Sequence, residues 1–365
     1  MKLRYFILFV FVLVLWSCSA RNNEDYEVSL LFLGDTSFGE NYQKYWDENF
    51  LQTKGYDYSL HNYKKILVSA DLVVANLETP LTALKNSRLS RVKKYIHYSN
   101  PEYSPETFKQ YNMTVFSLAN NHLMDYGLEG LRDTYEALEN YELVGFAGGE
   151  TEEDIFAPYM GHVEKNSVEF DFAVISGFEY YQDYDYRYEF YGNAERPGIP
   201  ELSEEFVKNT ISSLRKENPD IFIIIFPHWG SNYKMETERQ RRLAYSFIDN
   251  GADLVVGHGS HILQNLESYE GKWIVYSLGN FVFNSPGRYK KYDVPPFSAI
   301  ARILVSENEI VLRLYPIVTD NLSTNYQGRF VTKKEMKQVH EITGLKSFSE
   351  RDYYGEYYEL PLREN

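Results

Sequence analysis

A chain of 365 residues, 44% hydrophobic and 16% aromatic, has ample material for a packed core, which excludes global disorder and allows one large α/β domain or two small ones. A formal charge of −15 argues in bulk against nucleic acid as a freely bound partner, because counterion release needs a basic surface, while one local basic cleft could still bind an anion. A lone cysteine, Cys18, excludes structural disulfides, and the 33 tyrosines read as amphipathic surface and interface material.

The chain opens on a basic head, "MKLR", and twelve apolar residues, "YFILFVFVLVLW". That run is short for a membrane span, which takes roughly 20 residues, and it fits the apolar region of a secretory signal. It closes on "LWSC", which resembles a bacterial lipoprotein signal whose Cys18 becomes the lipidated first residue, although Trp16 replaces the small residue usual there. An uncleaved N-terminal anchor is the plainer alternative. Both readings place the protein in the cell envelope, exported and membrane-anchored, with residues 1–17 as signal peptide and 18–27 as polar tether. Losing Lys2 and Arg4 with the signal moves the formal charge from −15 to −17.

From residue 28 one pattern recurs: a β-branched or apolar run ends in a polar loop containing Gly or Asn, and a helical stretch often follows. The runs 28–35, 71–78, 113–122, 171–178, 220–230 and 252–261 read as strands buried on both faces. The stretches 128–140, 203–218 and 236–251 carry helical periodicity, the last ending on Asn250-Gly251. Between 178 and 192, "FEYYQDYDYRYEFYG" reads as a solvated surface loop packed by its own rings. After Trp273 the runs around Glu307-Asn308-Glu309 suggest an antiparallel hairpin, so the sheets are mixed. Residues 28–320 read as one α/β domain, and 321–365 as a C-terminal extension with a helix near 332–342.

Chemistry collects at the ends of the strands. In an open α/β sheet, polar residues after the carboxyl ends of strands point into one crevice. Those positions carry Asp35, Glu78, Asn120-Asn121-His122, His228 and the pair in "GHGSH", His258 and His261, which together hold four of the eight histidines. His61, His97, His162 and His340 lie elsewhere, in helical, loop or edge contexts. Each piece has a bland reading: Asp35 closing its own turn, Asn120 capping the next helix with Asp125 and Gly127 nearby, His228 as a satisfied core histidine. Together, carboxylate, amide and imidazole donors suit divalent ions such as Mn²⁺, Fe²⁺ or Zn²⁺ rather than a thiolate-bound structural zinc. No phosphate-binding glycine loop and no G-x-S-x-G nucleophile turn is present.

The segments "LLFLGDTSFGE", "DLVVANLETPLT", "SLANNHLMDYGLEGLRDTYEAL", "FPHWGSNY" and "GADLVVGHGSHILQNLESYEGKWIVYSLGNFVF", spanning about residues 28–318, resemble the CapA family of poly-γ-glutamate capsule biosynthesis proteins, within the calcineurin-like metallophosphatase fold. The resemblance implies a four-layer αββα metallophosphatase-like sandwich with mixed sheets and two metal ions at the strand ends. Carried over by position, Asp35, Asn121, His228, His258 and His261 resemble metal ligands, Glu78 stands where an acidic bridging ligand is expected, and His122 resembles the histidine that protonates a leaving group. Two positions depart from related phosphoesterases: their opening Asp-x-His is Asp35-Thr36-Ser37 here, and their closing Gly-His-x-His has become His258-x-x-His261. The expected function is a metal-dependent hydrolase-type site, acting on a phosphoester or amide bond of an exported anionic polymer such as poly-γ-glutamate, alongside membrane capsule-synthesis proteins. The alternative is a non-catalytic, metal-containing component that binds or exports the polymer.

Overall fold

The run Val28–Ser37 is buried along its whole length, and its alternate side chains enter different cores. Leu31 and Leu33 face one apolar cluster, while Val28, Leu30 and Phe32 face another. A strand with apolar residues on both sides needs cover on both, and this one lies within a large mixed sheet. It pairs in parallel with Leu72–Leu77, followed outward by Val115–Ser117 and Val144–Phe146. On its other side the expected hairpin, Phe297–Val305 and Glu309–Val318, pairs antiparallel. The computed structural model describes residues 26–45, 50–345 and 350–364, so the signal, Cys18 and most of the tether lie outside the described residues.

A second sheet runs Tyr159–Lys165, Val168–Ile175, Phe222–Ile225, Leu254–Val256, Lys272–Val275 and Leu266–Tyr269. Its inner pairs are parallel and its two edge pairs antiparallel. The sheets face each other through Phe32, Phe172, Phe222 and Leu314. Helices Tyr103–Gln110 and Gly127–Glu139 cover the first sheet, burying Phe108, Leu131 and Leu138. Helices Glu204–Glu217 and Glu238–Asp249 cover the second with Val207, Ile211, Leu243 and Phe247. The result is the four-layer αββα sandwich. Each fully buried Leu, Ile or Phe contributes about 1.5–3 kcal/mol, so three such cores can hold the fold without a disulfide.

Local signals set the boundaries. Ser203 accepts a hydrogen bond from the Phe206 amide, and Thr237 forms a reciprocal capping box with Gln240. Gly251, at φ 107°, closes the helix that the Asn-Gly pair was expected to stop.

Two expectations need correction. The run 113–122 contributes a strand only at Val115–Ser117, and 220–230 only at Phe222–Ile225, because the residues beyond peel off the sheets to build the crevice. The Tyr-rich stretch 178–192 is no solvated loop. Phe178, Tyr188, Phe190 and Tyr191 are buried in the core of the first sheet's outer face. The segment 321–365 carries the helix Met336–Thr343 and a last strand, Glu356–Glu364, which pairs antiparallel with Glu309–Val318. That strand adds Tyr358, Leu360 and Leu362 to the core between the sheets.

Candidate metal centre

The parallel strands of both sheets end at one edge, and bridges from Phe178 to His228 and from His228 to His258 stitch the loops that follow. This brings six of the expected side chains together. Asp35 is fully buried within the first strand. His258 Nδ1 lies 3.5 Å and His228 Nδ1 3.8 Å from Asp35 Oδ1, and the two imidazole nitrogens are 3.1 Å apart. On the other side of the carboxylate, His261 Nδ1 lies 3.2 Å from Asp35 Oδ2. His261 Nε2 and His122 Nε2 are each 3.9 Å from Glu78 Oε1.

Two groups of ligand atoms are therefore close enough to share an ion: Asp35 with His228 and His258, and Asp35 with Glu78 and His261. The carboxylate common to both is Asp35, whereas Glu78, expected in the bridging place, belongs to one. Ser37, where related phosphoesterases carry an imidazole, turns its hydroxyl to the Gly39 amide. His261 enters the second group through the wider spacing of "GHGSH", and its φ of 62° is the cost of that reach. A non-glycine residue held in the left-handed region is strained by roughly 1–3 kcal/mol. Gly259, at φ 104°, tolerates the turn that a side chain would resist, and its amide donates to Asp35 Oδ2 at 3.2 Å.

The electrostatics are those of an incomplete cluster. Burial alone would raise Asp35, but hydrogen bonds from His258 and His261 and the charges of His261 and His228 hold it well below the usual carboxylate range. Glu78 moves the other way: burial first, then the negative charge of Asp35, push it well above its ordinary value. Both Glu78 oxygens and His258 Nε2 are buried with no hydrogen-bond partner among the described residues. The same holds for Asn121 Oδ1, whose residue touches the Tyr184 phenol. Leaving a buried polar group unpaired costs about 1–3 kcal/mol, and more for a charge. An oxygen- and nitrogen-rich donor set that is short of partners fits a divalent cation.

Residues around the ligands hold them in place. Asn120 Nδ2 donates to Asn76 Oδ1 at 3.0 Å, and Asn76 Nδ2 donates to Asp35 Oδ1 at 3.0 Å. Asn280 Oδ1 lies 2.8 Å from His261 Nδ1, which leaves Nε2 free to face Glu78. His122 Nδ1 lies 2.6 Å from Asp125 Oδ2, so its Nε2 faces the crevice. Asp125 is also paired with the buried ammonium of Lys93, which reaches His122 Nδ1 at 3.1 Å. Burial, then the positive charges of Lys93, His228 and His261, hold His122 well below its ordinary pKa.

Sequence reasoning missed part of this. His97, set aside as a residue without company, stacks on His122 with ring centroids 3.4 Å apart, and its Nδ1 meets the Glu78 carbonyl at 3.1 Å. Nothing local in "KYIHYSN" signals that contact. Asn76 was legible, because it lies two residues before Glu78 on a strand, where alternate residues share a face. Asp125, read only as a helix-cap neighbour, is the partner of His122 three residues earlier. His61, His162 and His340 do stay out of the site: His162 pairs with Asp171 on an exposed face, and His340 bonds the Tyr358 hydroxyl.

Fold and crevice together define an α/β sandwich with a buried carboxylate–imidazole cluster able to hold a divalent cation. Residues 29–285 match the model of the bacterial capsule synthesis protein family PGA_cap, and the chain belongs to that family. It is 32% identical over 288 residues to the PGA biosynthesis protein CapA of Bacillus subtilis, covering 75% of this chain and 70% of that protein. With the capsule biosynthesis protein CapA of Bacillus anthracis it shares 29% identity, spanning 72% of this chain and 62% of that relative. Among solved structures, the Thermus thermophilus sulfate thiohydrolase SoxB is similar with a TM-score of 0.44 at 13% identity, over 79% of this chain and 56% of that one. A phosphatase from Mycoplasma pneumoniae gives 0.38 at 12%, over 86% and 98%.

Proposed function

We propose that this chain is an envelope-anchored protein of capsule-polymer metabolism, acting on poly-γ-glutamate or a related exported polymer, and that its strand-end crevice is a metal-dependent hydrolase-type site. Membership of the capsule synthesis family and the names of the Bacillus relatives support the polymer; the "LWSC" stretch supports a lipid anchor on Cys18. The observation that carries the site is Glu78, whose two oxygens are buried without a hydrogen-bond partner in the midst of imidazole nitrogens.

Asp35, Glu78, Asn121, His228, His258 and His261 are the residues that would hold the metal. A bound divalent pair would supply Lewis-acid polarisation and an activated water. The chain supplies the rest. Asp35 lies between the two groups of donors and fixes their separation. Asp125 lies against Nδ1 of His122 and steadies the ring, so Nε2 points into the crevice. There Nε2 is the atom placed to pass a proton to a leaving amine or alkoxide as the bond to carbonyl or phosphorus breaks. Tyr184, Lys93 and Phe190 close the flank beside His122, the ammonium lying 5.6 Å and 5.1 Å from the two ring centroids.

The test is elemental analysis of the purified protein, then cleavage assays on γ-linked polyglutamate and a phosphodiester panel with and without chelator. Turnover that chelator abolishes and His122→Ala removes is the expected result. Absence of bindable metal sinks the proposal. The hydroxyl of Ser37, where an imidazole stands in related phosphoesterases, favours a second reading, a metal-containing component that binds or exports polymer without cutting it. Chelator-sensitive binding without turnover would select that reading. Cys18→Ser should release the protein from the membrane fraction.

A further inference from the structure

The crevice has a basic annex. A cavity of about 650 Å³ adjoins it, and Lys93 and Tyr42 form the shared wall. Lys93 lines the cavity and contacts His122, while the Tyr42 hydroxyl lies 3.0 Å from Nε2 of His97, the ring stacked on His122. Two more cations line the same space, Lys94 and Arg288. Basic residues are outnumbered 37 to 52 by acidic ones in this chain, so a cation would be expected to find a carboxylate. Neither of these two has one within ion-pairing distance among the described residues. Both lean instead on the ring of Tyr95, Arg288 at 4.4 Å and Lys94 at 5.3 Å from its centroid. The one carboxylate in the lining, Glu40, is engaged by the Asn100 amide, the Ser99 hydroxyl and the Tyr56 hydroxyl, and burial pushes its pKa up. A second cavity, of about 670 Å³, shares Glu40 and Tyr98 with the first and carries Lys85, the carboxylates Asp57 and Glu106, and the neighbouring rings of Tyr56 and Tyr103.

We propose that the first cavity is a subsite for a carboxylate-bearing chain, in which Arg288 and Lys94 pair with side-chain carboxylates of an acidic polymer whose adjoining bond lies at the strand-end crevice. A cavity of this size running on from the crevice suits an extended ligand better than a compact monoester, and its tyrosine walls let methylene groups pack while the charges are paired. The guanidinium offers a planar fork to a carboxylate, and Tyr95 holds it in place before the ligand arrives. The subsite also accounts for how so acidic a chain could hold a polyanion: the opposing charge is local. This inference rests on the polymer reading above and makes it specific to residues outside the metal centre.

The experiment measures binding of a γ-linked glutamate pentamer and of its neutral γ-linked glutamine counterpart to the wild type, Lys94→Gln, Arg288→Gln and the double variant, by calorimetry at fixed ionic strength. Lys94 is exposed, so its variant leaves the fold unburdened, and thermal midpoint and metal content are recorded for every protein. The expected result is a loss of tenfold or more in pentamer affinity for the double variant, a smaller loss for each single change, unchanged metal content, and weak binding of the glutamine peptide throughout. Equal pentamer affinity in all four proteins, or glutamine and glutamate peptides binding alike, overturns the subsite. The titration is repeated on metal-free protein. A chain that takes up no metal would sink the hydrolase reading while leaving the Arg288 and Lys94 comparison intact.

Discussion

Two buried charged clusters lie in the same large sheet, and they are built on opposite terms. Near the edge formed by the last strand, Arg313 is fully buried; its Nε donates to Glu359 Oε2 at 2.7 Å, and its guanidinium stacks over Tyr357 at 4.6 Å. Glu359 stands directly opposite Arg313 in the strand pairing, and Asp352 adds a carboxylate 3.8 Å away. Burial would lower the arginine, but Glu359 and its neighbours hold it above its ordinary value, so its charge is matched within the chain. At the strand ends, Asp35 and Glu78 are equally buried, but Glu78 keeps two oxygens without a hydrogen-bond partner. A cluster whose charge is matched across paired strands serves the fold; one whose carboxylate oxygens lie unbonded among imidazoles suits a ligand.

Substitution should separate the two. The largest effect is expected on metal binding: Asp35→Asn or His228→Ala should lower divalent affinity by about 100-fold or more, as read by competition with a chelating dye, because each removes a donor from a three-donor group. Glu78→Gln should leave the metal-free thermal midpoint unchanged or raise it, since burial and the negative charge of Asp35 hold that carboxyl well above its ordinary value. Arg313→Met and Glu359→Gln should do the reverse. Breaking a buried pair by removing one partner costs about 3–5 kcal/mol, read by urea denaturation, with metal affinity unchanged. A metal defect in Glu359→Gln would erase the distinction.

Within the crevice, Asp125→Asn tests positioning against ligation. If turnover is present, it should fall by about 10²–10⁴-fold while metal content stays, because His122 loses the carboxylate that orients its Nδ1 proton. An exposed pair gives the smallest effect. Two hydrogen bonds from Arg329 hold Glu335 down to about 2, below its unfolded value. The pair therefore contributes above pH of about 4.5 and loses that contribution as pH falls toward 2, and solvent screening limits it to well under 1 kcal/mol. Arg329→Ala should lower stability by that small amount at neutral pH, leave it unchanged near pH 2, and so flatten that part of the acid limb of the stability curve.

The open cluster was far more legible in sequence than the closed one. Asp35, Glu78, His122, His228, His258 and His261 each follow an apolar run, and polar residues at strand ends of an α/β sheet converge. Arg313 stands inside the run "EIVLRLYPIV", where nothing local says that Glu359 will arrive opposite it from the last strand. His97 was lost for the same reason: its meaning lies in a stacked ring from a distant loop. The layered fold was readable because apolar runs and helical faces are local. The burial of 178–192 was not, since a Tyr- and acid-rich stretch has the composition of a surface until Phe178 and Phe190 find the core.

The most direct test is anomalous diffraction from a crystal of the mature protein soaked in Mn²⁺. The account predicts density peaks within bonding distance of Asp35 and its histidine partners, with Glu78 turned toward one of them. A map with no peak there, or with the imidazoles of His228, His258 and His261 facing away from Asp35, would contradict it.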